Sequence, residues 1–296
     1  MKTKIVTCIY FDLHGTELGG RPSRNEHYLY SLNSIMKIDT ADFIIYTNNK
    51  NKVLEFYERL YPNKLDKFQC IEYDLHNTEY KDLINPIKNV SETRLSTRCI
   101  ELQYSKFTWL KQSYSNDLDY LYWIDAGLCY SGLLPDKLLK TNTGNYSDTY
   151  YGSDYFTNNF VDNLNKFSKD KIMVCAKENV KNYWDRPLPE KYFTTDNFSS
   201  EYHIIGGLFG GKAQLIESLY EKFYSLTRNL IDQEKFLYHE ENILSCLYFS
   251  YPNIFVSKNF DIWWHEDNIV GNVGEEKGIN LLKNNKSFYK ILEELF

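Results

Sequence analysis

Four short segments bring together residue types that do chemistry. In Asp119-Tyr-Leu-Tyr-Trp-Ile-Asp125-Ala-Gly127 an apolar run ends in an acid and then a glycine. A carboxylate just past a buried strand can hold a hard divalent cation against a diphosphate, because such cations take oxygen ligands. Gly127 lets a bulky ligand approach the backbone; the plainer reading is that Asp125 caps a turn. In His203-Ile-Ile-Gly206-Gly207-Leu-Phe-Gly210-Gly211-Lys212 two Gly-Gly pairs frame an apolar run directly before a helical stretch. Gly206 and Gly207 then permit turns and close contact with a ligand, and the helix N-terminus that follows would favour an anion.

The third segment is Phe236-Leu-Tyr-His239-Glu240-Glu241-Asn242-Ile-Leu244. Read as one helix, it sets Glu240 beside Phe236, Ile243, Leu244 and Leu247, and Glu241 beside Leu237, Leu244 and Tyr248. Acids among apolar neighbours are costly to bury, so they point to a task such as stabilising positive charge at a sugar carbon or acting as a nucleophile. A solvated helix end is the bland alternative. The fourth segment, Phe260-Asp-Ile-Trp263-Trp264-His265-Glu266-Asp267, offers Trp263 and Trp264 as a platform for an acceptor sugar, with His239 as a further acceptor contact. His265 is a candidate metal ligand beside Asp125, although a structural histidine is the commoner case.

These residues need a scaffold. Short apolar runs rich in β-branched and aromatic residues at 4–11, 42–47, 68–73, 120–124, 171–176 and 254–257 read as strands. Between them, 24–38, 52–60, 96–111 and 213–230 show helical spacing; the last places Leu215, Leu219, Phe223, Leu226 and Leu230 on one face. Such alternation implies an α/β fold, a mixed and mostly parallel sheet with helices on both faces. Ligands bind beyond the carboxyl ends of such strands. That rule points at Tyr10–Asp12, Thr47–Asn49 and Asp125–Gly127 and places Asp125 in the largest cleft; Thr7, Tyr10, Thr47, Asp125 and Gly127 are the donor contacts expected among the strands and their ends. Arg94, Arg98 and Lys106 precede the Asp125 strand on a helix and can neutralise a diphosphate, or simply form a solvated face. The segment 141–160 has loop chemistry, and nothing in 1–296 reads as a linker between domains.

The chain of 296 residues carries a net charge of −6, so the basic excess of a nucleic-acid binder is missing. Aromatic residues reach 17%, with 26 Tyr and 18 Phe, which suits stacking on sugars and equally reflects an Asn-, Lys- and Ile-rich composition. No apolar stretch is long enough to span a membrane, so any membrane contact would be peripheral. Cys8, Cys70, Cys99, Cys129, Cys175 and Cys246 form no C-x-x-C pair and sit mostly in apolar runs; they read as free thiols of a cytoplasmic protein.

In order along the chain, Gly206-Gly-Leu-Phe-Gly-Gly-Lys212, a helix, His239-Glu-Glu-Asn-Ile-Leu244 and Tyr251-Pro252 resemble the C-terminal half of the family 6 glycosyltransferases, the group of the blood-group A/B and α1,3-galactosyl enzymes. Ser105-Lys-Phe107 and Tyr122-Trp-Ile-Asp-Ala-Gly-Leu128 are similar to the HtrL/YibB family of bacterial surface-polysaccharide loci. The resemblance implies a GT-A-like (Rossmann-like) domain that moves a sugar from a nucleotide-sugar donor to a cell-surface glycan such as lipopolysaccharide, with retention. By position Glu241 matches the glutamate proposed as nucleophile or cation stabiliser, and Glu240 the neighbouring acid that contacts sugar. One departure matters: the Asp-x-Asp that holds manganese in most such enzymes is reduced to Asp125-Ala-Gly127. Either Asp125 holds Mn2+ or Mg2+ with help from His265, or cationic side chains replace the metal. Two rival classes remain. A two-carboxylate glycoside hydrolase fits poorly, because adjacent helical acids diverge by roughly 100°; a non-catalytic sugar- or nucleotide-binding relative fits the missing acid.

Overall fold

The runs of β-branched and aromatic residues form strands, and their ends fall within a few residues of the apolar blocks. In chain order the elements are β1 (Thr3–Ile9), β2 (Asp42–Thr47), α1 (Lys50–Leu60), β3 (Phe68–Glu72), α2 (Lys81–Ile84), α3 (Thr97–Ser113), β4 (Tyr120–Ile124), α4 (Asn159–Ser168), β5 (Ile172–Lys177), β6 (His203–Lys212), α5 (Ile216–Glu234), α6 (Glu240–Ser250) and β7 (Phe255–Asn259). The computed structural model describes residues 1–11, 29, 36, 38–87, 97–126, 159–177, 188–193 and 203–259. Of the helix read at 24–38, Leu29, Met36 and Ile38 are described; the first two are helical and Ile38 is not. The loop read at 141–160 lies outside the described residues up to Asn159, where α4 begins.

The strands build one seven-stranded sheet in the order β3-β2-β1-β4-β6-β5-β7. Neighbours β3, β2, β1 and β4 run parallel. Among the described strands β6 alone is reversed, pairing antiparallel with β4 on one side and β5 on the other, while β7 runs parallel to β5. The mixed, mostly parallel sheet expected from the sequence is the sheet observed, with β1, β2 and β4 adjacent and parallel.

Side-chain alternation along the strands feeds two cores. Val6, Ile44, Tyr46, Leu121 and Trp123 face α3, α5 and α6. Ile5, Ile9, Phe43, Ile45 and Tyr122 face α1 and α4. Both faces are therefore covered, which is why these strands read as continuous apolar runs. Aromatic packing joins the layers. Phe107 of α3 stacks on Phe223 of α5 with centroids 3.6 Å apart, and Trp109 stacks on Tyr46 at 5.2 Å. Each such fully buried side chain contributes about 1.5–3 kcal/mol.

The stretch 203–212, read above as glycine turns, is one continuous strand. Its glycines serve strand crowding. Gly210 (φ +138°) and Gly211 (φ +155°) lie between two neighbours, and a Cβ would stand 2.4 Å from Leu121 O at the first and 2.1 Å from Lys171 O at the second. Because β6 is reversed, its far end, Lys212, pairs with Tyr120 at the start of β4. The α5 N-terminus beyond it therefore sits at the opposite end of the sheet from Asp125, so the anion role expected of that helix end does not reach the site.

Candidate active site

Asp125 immediately follows β4, and its backbone N–H donates to Gly207 O at 2.8 Å. This contact fixes where the first half of β6 passes the strand end. Alternation along β4 puts Trp123 on the same side as Asp125, and its indole N–H donates to Asp125 Oδ1 at 2.6 Å. The second partner comes from α3. Lys106 Nζ lies 3.0 Å from Asp125 Oδ1, 3.2 Å from Gly206 O and 2.8 Å from Glu240 Oε1. An ammonium has three protons, and here three protein acceptors take them. The Lys106 side chain is 7% exposed, that of Glu240 2%, and that of Asp125 35%. Asp125 is thus the member of the trio that faces outward.

The helix around Glu240 starts later than its apolar pattern suggests. Residues 236–238 are not helical; His239 is extended (φ −63°, ψ 146°) and caps α6, so Glu240 and Glu241 occupy its first turn. Acids there are favoured by the helix dipole. Being adjacent, they diverge. Glu240 turns toward Lys106, and its Oε2 lies 2.7 Å from His239 Nδ1. That nitrogen is 3.5 Å from the Glu241 N–H, so the shorter contact with a carboxylate is the stronger. Gln103 of α3 reaches the other ring nitrogen at 2.8 Å. Glu241 instead turns toward β6, where Oε1 accepts the Gly206 N–H at 2.8 Å and Oε2 is 2.8 Å from His203 Nε2. A Cβ on Gly206 would come within 2.7 Å of Glu240 Oε1 and 3.1 Å of Glu241 Cγ. Gly206 accordingly makes room for the two acids, not for a ligand against the backbone.

Charge in this cluster is shared unevenly. Burial works against ionising Glu240, but His239 and Lys106 outweigh it and hold its carboxyl well below the usual glutamate range. Burial opposes ionisation of Glu241 too; the bond from His203 and its charge outweigh that, and the carboxyl stays below its ordinary value. Burial disfavours charged Lys106, yet Asp125 and Glu240 keep the ammonium protonated beyond the ordinary lysine range. His239 is likewise raised, with Glu240 overcoming burial. Asp125 goes the other way: burial pushes its carboxyl up, Lys106 offsets part of this, and Glu240 adds to it.

Of the donor contacts expected at strand ends, Thr7, Tyr10 and Thr47 are buried. Tyr10 stacks on Trp109 at 5.7 Å and donates its hydroxyl to Tyr73 O, and the Thr47 hydroxyl accepts the Asn49 N–H. Arg94, Gly127, Trp263, Trp264 and His265 lie outside the described residues, as does the Arg98 side chain. A cavity of about 470 Å3 opens between α2 and the end of α5, lined by Leu83, Pro86, Ile87, Ile231 and Lys235 among others, and Asp125 does not line it. Sequence reasoning overlooked His203, Gln103 and the Trp123 indole as parts of the cluster. For two of them a signal existed: Trp123 is two residues from Asp125 along a strand, and Gln103 is three from Lys106 along a helix.

The sequence matches no family model and no curated protein. Among solved structures, the chain is similar to mouse xyloside xylosyltransferase 1 in its apo form, at 11% identity and a TM-score of 0.46 over 98% of this chain and 94% of that one. It is also similar to the 4-diphosphocytidyl-2C-methyl-D-erythritol synthase of Anaerococcus prevotii (11% identity, TM-score 0.41, 92% and 95% covered). A third is a CMP:2-keto-3-deoxy-manno-octonic acid synthetase complexed with CTP (8% identity, TM-score 0.37, 88% and 91% covered). No helix among the described residues is long and apolar enough to cross a membrane.

Proposed function

We propose that this chain is a nucleotide-sugar-dependent glycosyltransferase that acts on a cell-surface glycan with retention, using Glu241 to stabilise charge at the anomeric carbon. The observation that carries this reading is the Lys106 ammonium. It ties the acid at the end of β4 to the first turn of α6, so residues more than a hundred positions apart share one site. That site sits at the carboxyl end of β4, where sheets of this kind bind ligands. The motif-level likeness to family 6 enzymes supports the assignment of Glu241 and Glu240.

Each residue then has a role. Expulsion of a nucleoside diphosphate leaves positive charge on the sugar, so a fixed anion nearby lowers the barrier. Glu241 is held below the ordinary glutamate range, which suits an anion or nucleophile and not a proton donor. Glu240 and Lys106 are held by each other and by His239, and so set the position of Asp125. Asp125, the outward member, meets the donor.

A divalent cation fits this site at Asp125. Two carboxylates, Asp125 and Glu240, share the Lys106 ammonium, and Asp125 presents hard oxygen on its exposed side. His239, Glu240 and Glu241 also gather ligand atoms within 4.8 Å. They fit a metal poorly, because Glu240 Oε2 and His239 Nδ1 touch at 2.7 Å and Glu241 is engaged by His203 and Gly206. When bound at Asp125, Mn2+ or Mg2+ would neutralise diphosphate charge, with His265 as the proposed second ligand.

The test is turnover of a panel of nucleotide sugars by purified protein. Donor hydrolysis separates an enzyme from a non-catalytic sugar-binding relative. Glu241→Gln keeps the shape and removes the charge; it should retain nucleotide binding and lose transfer by about 10²–10³. Undiminished transfer in that variant would rule out the retaining assignment.

A further inference from the structure

We propose that His203 is a positioning residue for Glu241: its imidazole and the Gly206 N–H grip the two carboxylate oxygens, so that Glu241 meets a bound sugar in one orientation. The proposal rests on the retaining-transfer reading above. It goes beyond it by adding a residue that touches neither donor nor acceptor.

The head of β6 is fastened to α6 at three points. His203 Nε2 is 2.8 Å from Glu241 Oε2. The Gly206 N–H donates to Glu241 Oε1 at 2.8 Å. Between them, the Ile204 N–H donates to Ser245 Oγ at 3.1 Å, and that hydroxyl donates to Glu241 O at 2.7 Å. A carboxylate held through both oxygens cannot swing, yet each oxygen keeps a second lone pair for another contact.

An apolar residue would satisfy the packing at this position. His203 is 6% exposed at the head of a strand in which the only other ionisable residue is the terminal Lys212. A buried imidazole is costly without a partner, and its partner is the acid assigned to the chemistry. With Glu241 ionised, the bond requires the proton on Nε2. The charged and titratable groups that act on Glu241 are His203 on β6, His239 at the cap of α6 and Glu240 in its first turn. His203 makes the bond to the carboxylate and adds to the charge that keeps Glu241 ionised.

The test compares His203→Ala with His203→Gln in the full chain. Gln keeps an N–H donor of similar reach and does not titrate. We expect the Ala variant to lose about 10–100-fold in kcat, as for removal of a group that orients a functional residue. KM for the nucleotide sugar should stay within about threefold. The acid limb of the kcat profile should move to higher pH, and Gln should recover most of kcat. An Ala variant with wild-type kcat, or equal losses in both variants with a raised KM, overturns the proposal.

A double-mutant cycle of His203→Ala with Glu241→Gln in urea unfolding needs no turnover. A coupling of at least about fivefold in the unfolding constant is expected, and none overturns the contact. His203→Leu, which fills the space, replaces Ala if that chain does not fold. If no nucleotide sugar is turned over but the coupling is present, the transfer reading fails and the His203–Glu241 unit stands. If both are absent, both fall.

Discussion

Lys106→Met tests the cluster most directly, because it removes the one ammonium and keeps the aliphatic length. The cost follows from the burial of its partners. Glu240, with a side chain 2% exposed, would be left as an uncompensated buried charge. Breaking a buried pair in this way costs about 3–5 kcal/mol. Asp125 is 35% exposed and can rehydrate, so its share is that of a surface pair, about 0–1 kcal/mol. The expected loss is therefore about 3–5 kcal/mol out of a typical 5–15 for a folded protein, enough to lower the urea midpoint markedly while leaving a native state. The pH dependence has a definite sign. In the wild type a depressed Glu240 contributes stability above its unfolded value near 4.5, and this is lost as pH falls. In the variant burial acts on Glu240 with less opposition, so it takes up a proton at higher pH and the deficit narrows on acidification. Urea unfolding followed by tryptophan fluorescence, at roughly pH 7 and pH 4.5, reads both quantities. Adding Glu240→Gln should return part of the lost stability. A loss below about 1 kcal/mol, or a deficit that widens in acid, would refute a buried ionic centre at Lys106.

The wild-type protein should itself lose stability as pH falls below about 4.5, because Glu240 and Glu241 are both depressed in the fold; an acid titration of the urea midpoint checks this. Gly210→Ala should be far more damaging than Gly206→Ala. The first drives a Cβ into a carbonyl at 2.4 Å from a left-handed φ, whereas the second meets the far end of the Glu240 side chain, whose displacement costs about 1–3 kcal/mol. Thermal melts should order the two, and Gly206→Ala should lose donor turnover even where it stays folded. Mn2+ with a nucleoside diphosphate should raise the Tm of the wild type, and Asp125→Asn should abolish that rise along with donor turnover.

Much of the scaffold was legible because both faces of the sheet are covered: a strand buried on both sides has to be apolar throughout, and β2 and β4 match their apolar blocks residue for residue. The strand β6 was not legible. Its four glycines carry turn signals, and nothing local says that two neighbouring backbones pass too close for a side chain. Apolar spacing also carried the α6 helix back through Phe236 and Leu237, while the end signal was the chemistry of an extended His239 followed by two acids. Asp125, Glu240 and Glu241 stood out as acids at the edges of apolar runs. That Lys106 links two of them, and that Glu241 faces His203 instead, depends on how three distant elements pack. The strand-end rule named Tyr10 and Thr47, but side chains at these positions point into the cores as often as toward a ligand.

The reversed strand between β4 and β5 also sets the order in which the protein can assemble. β3, β2, β1 and β4 all lie in the first 124 residues, but the strand that covers the free side of β4 begins at His203. During synthesis, about 80 residues must emerge after Ile124 before Leu208 can pair with it. At about 5–20 residues per second that is several seconds in which Tyr-Leu-Tyr-Trp-Ile, buried along its whole length in the finished fold, waits as an open edge. An unpaired apolar edge of this kind templates association with other chains. Nascent chains stalled before β6 should therefore be the species that chaperones hold and that aggregates first.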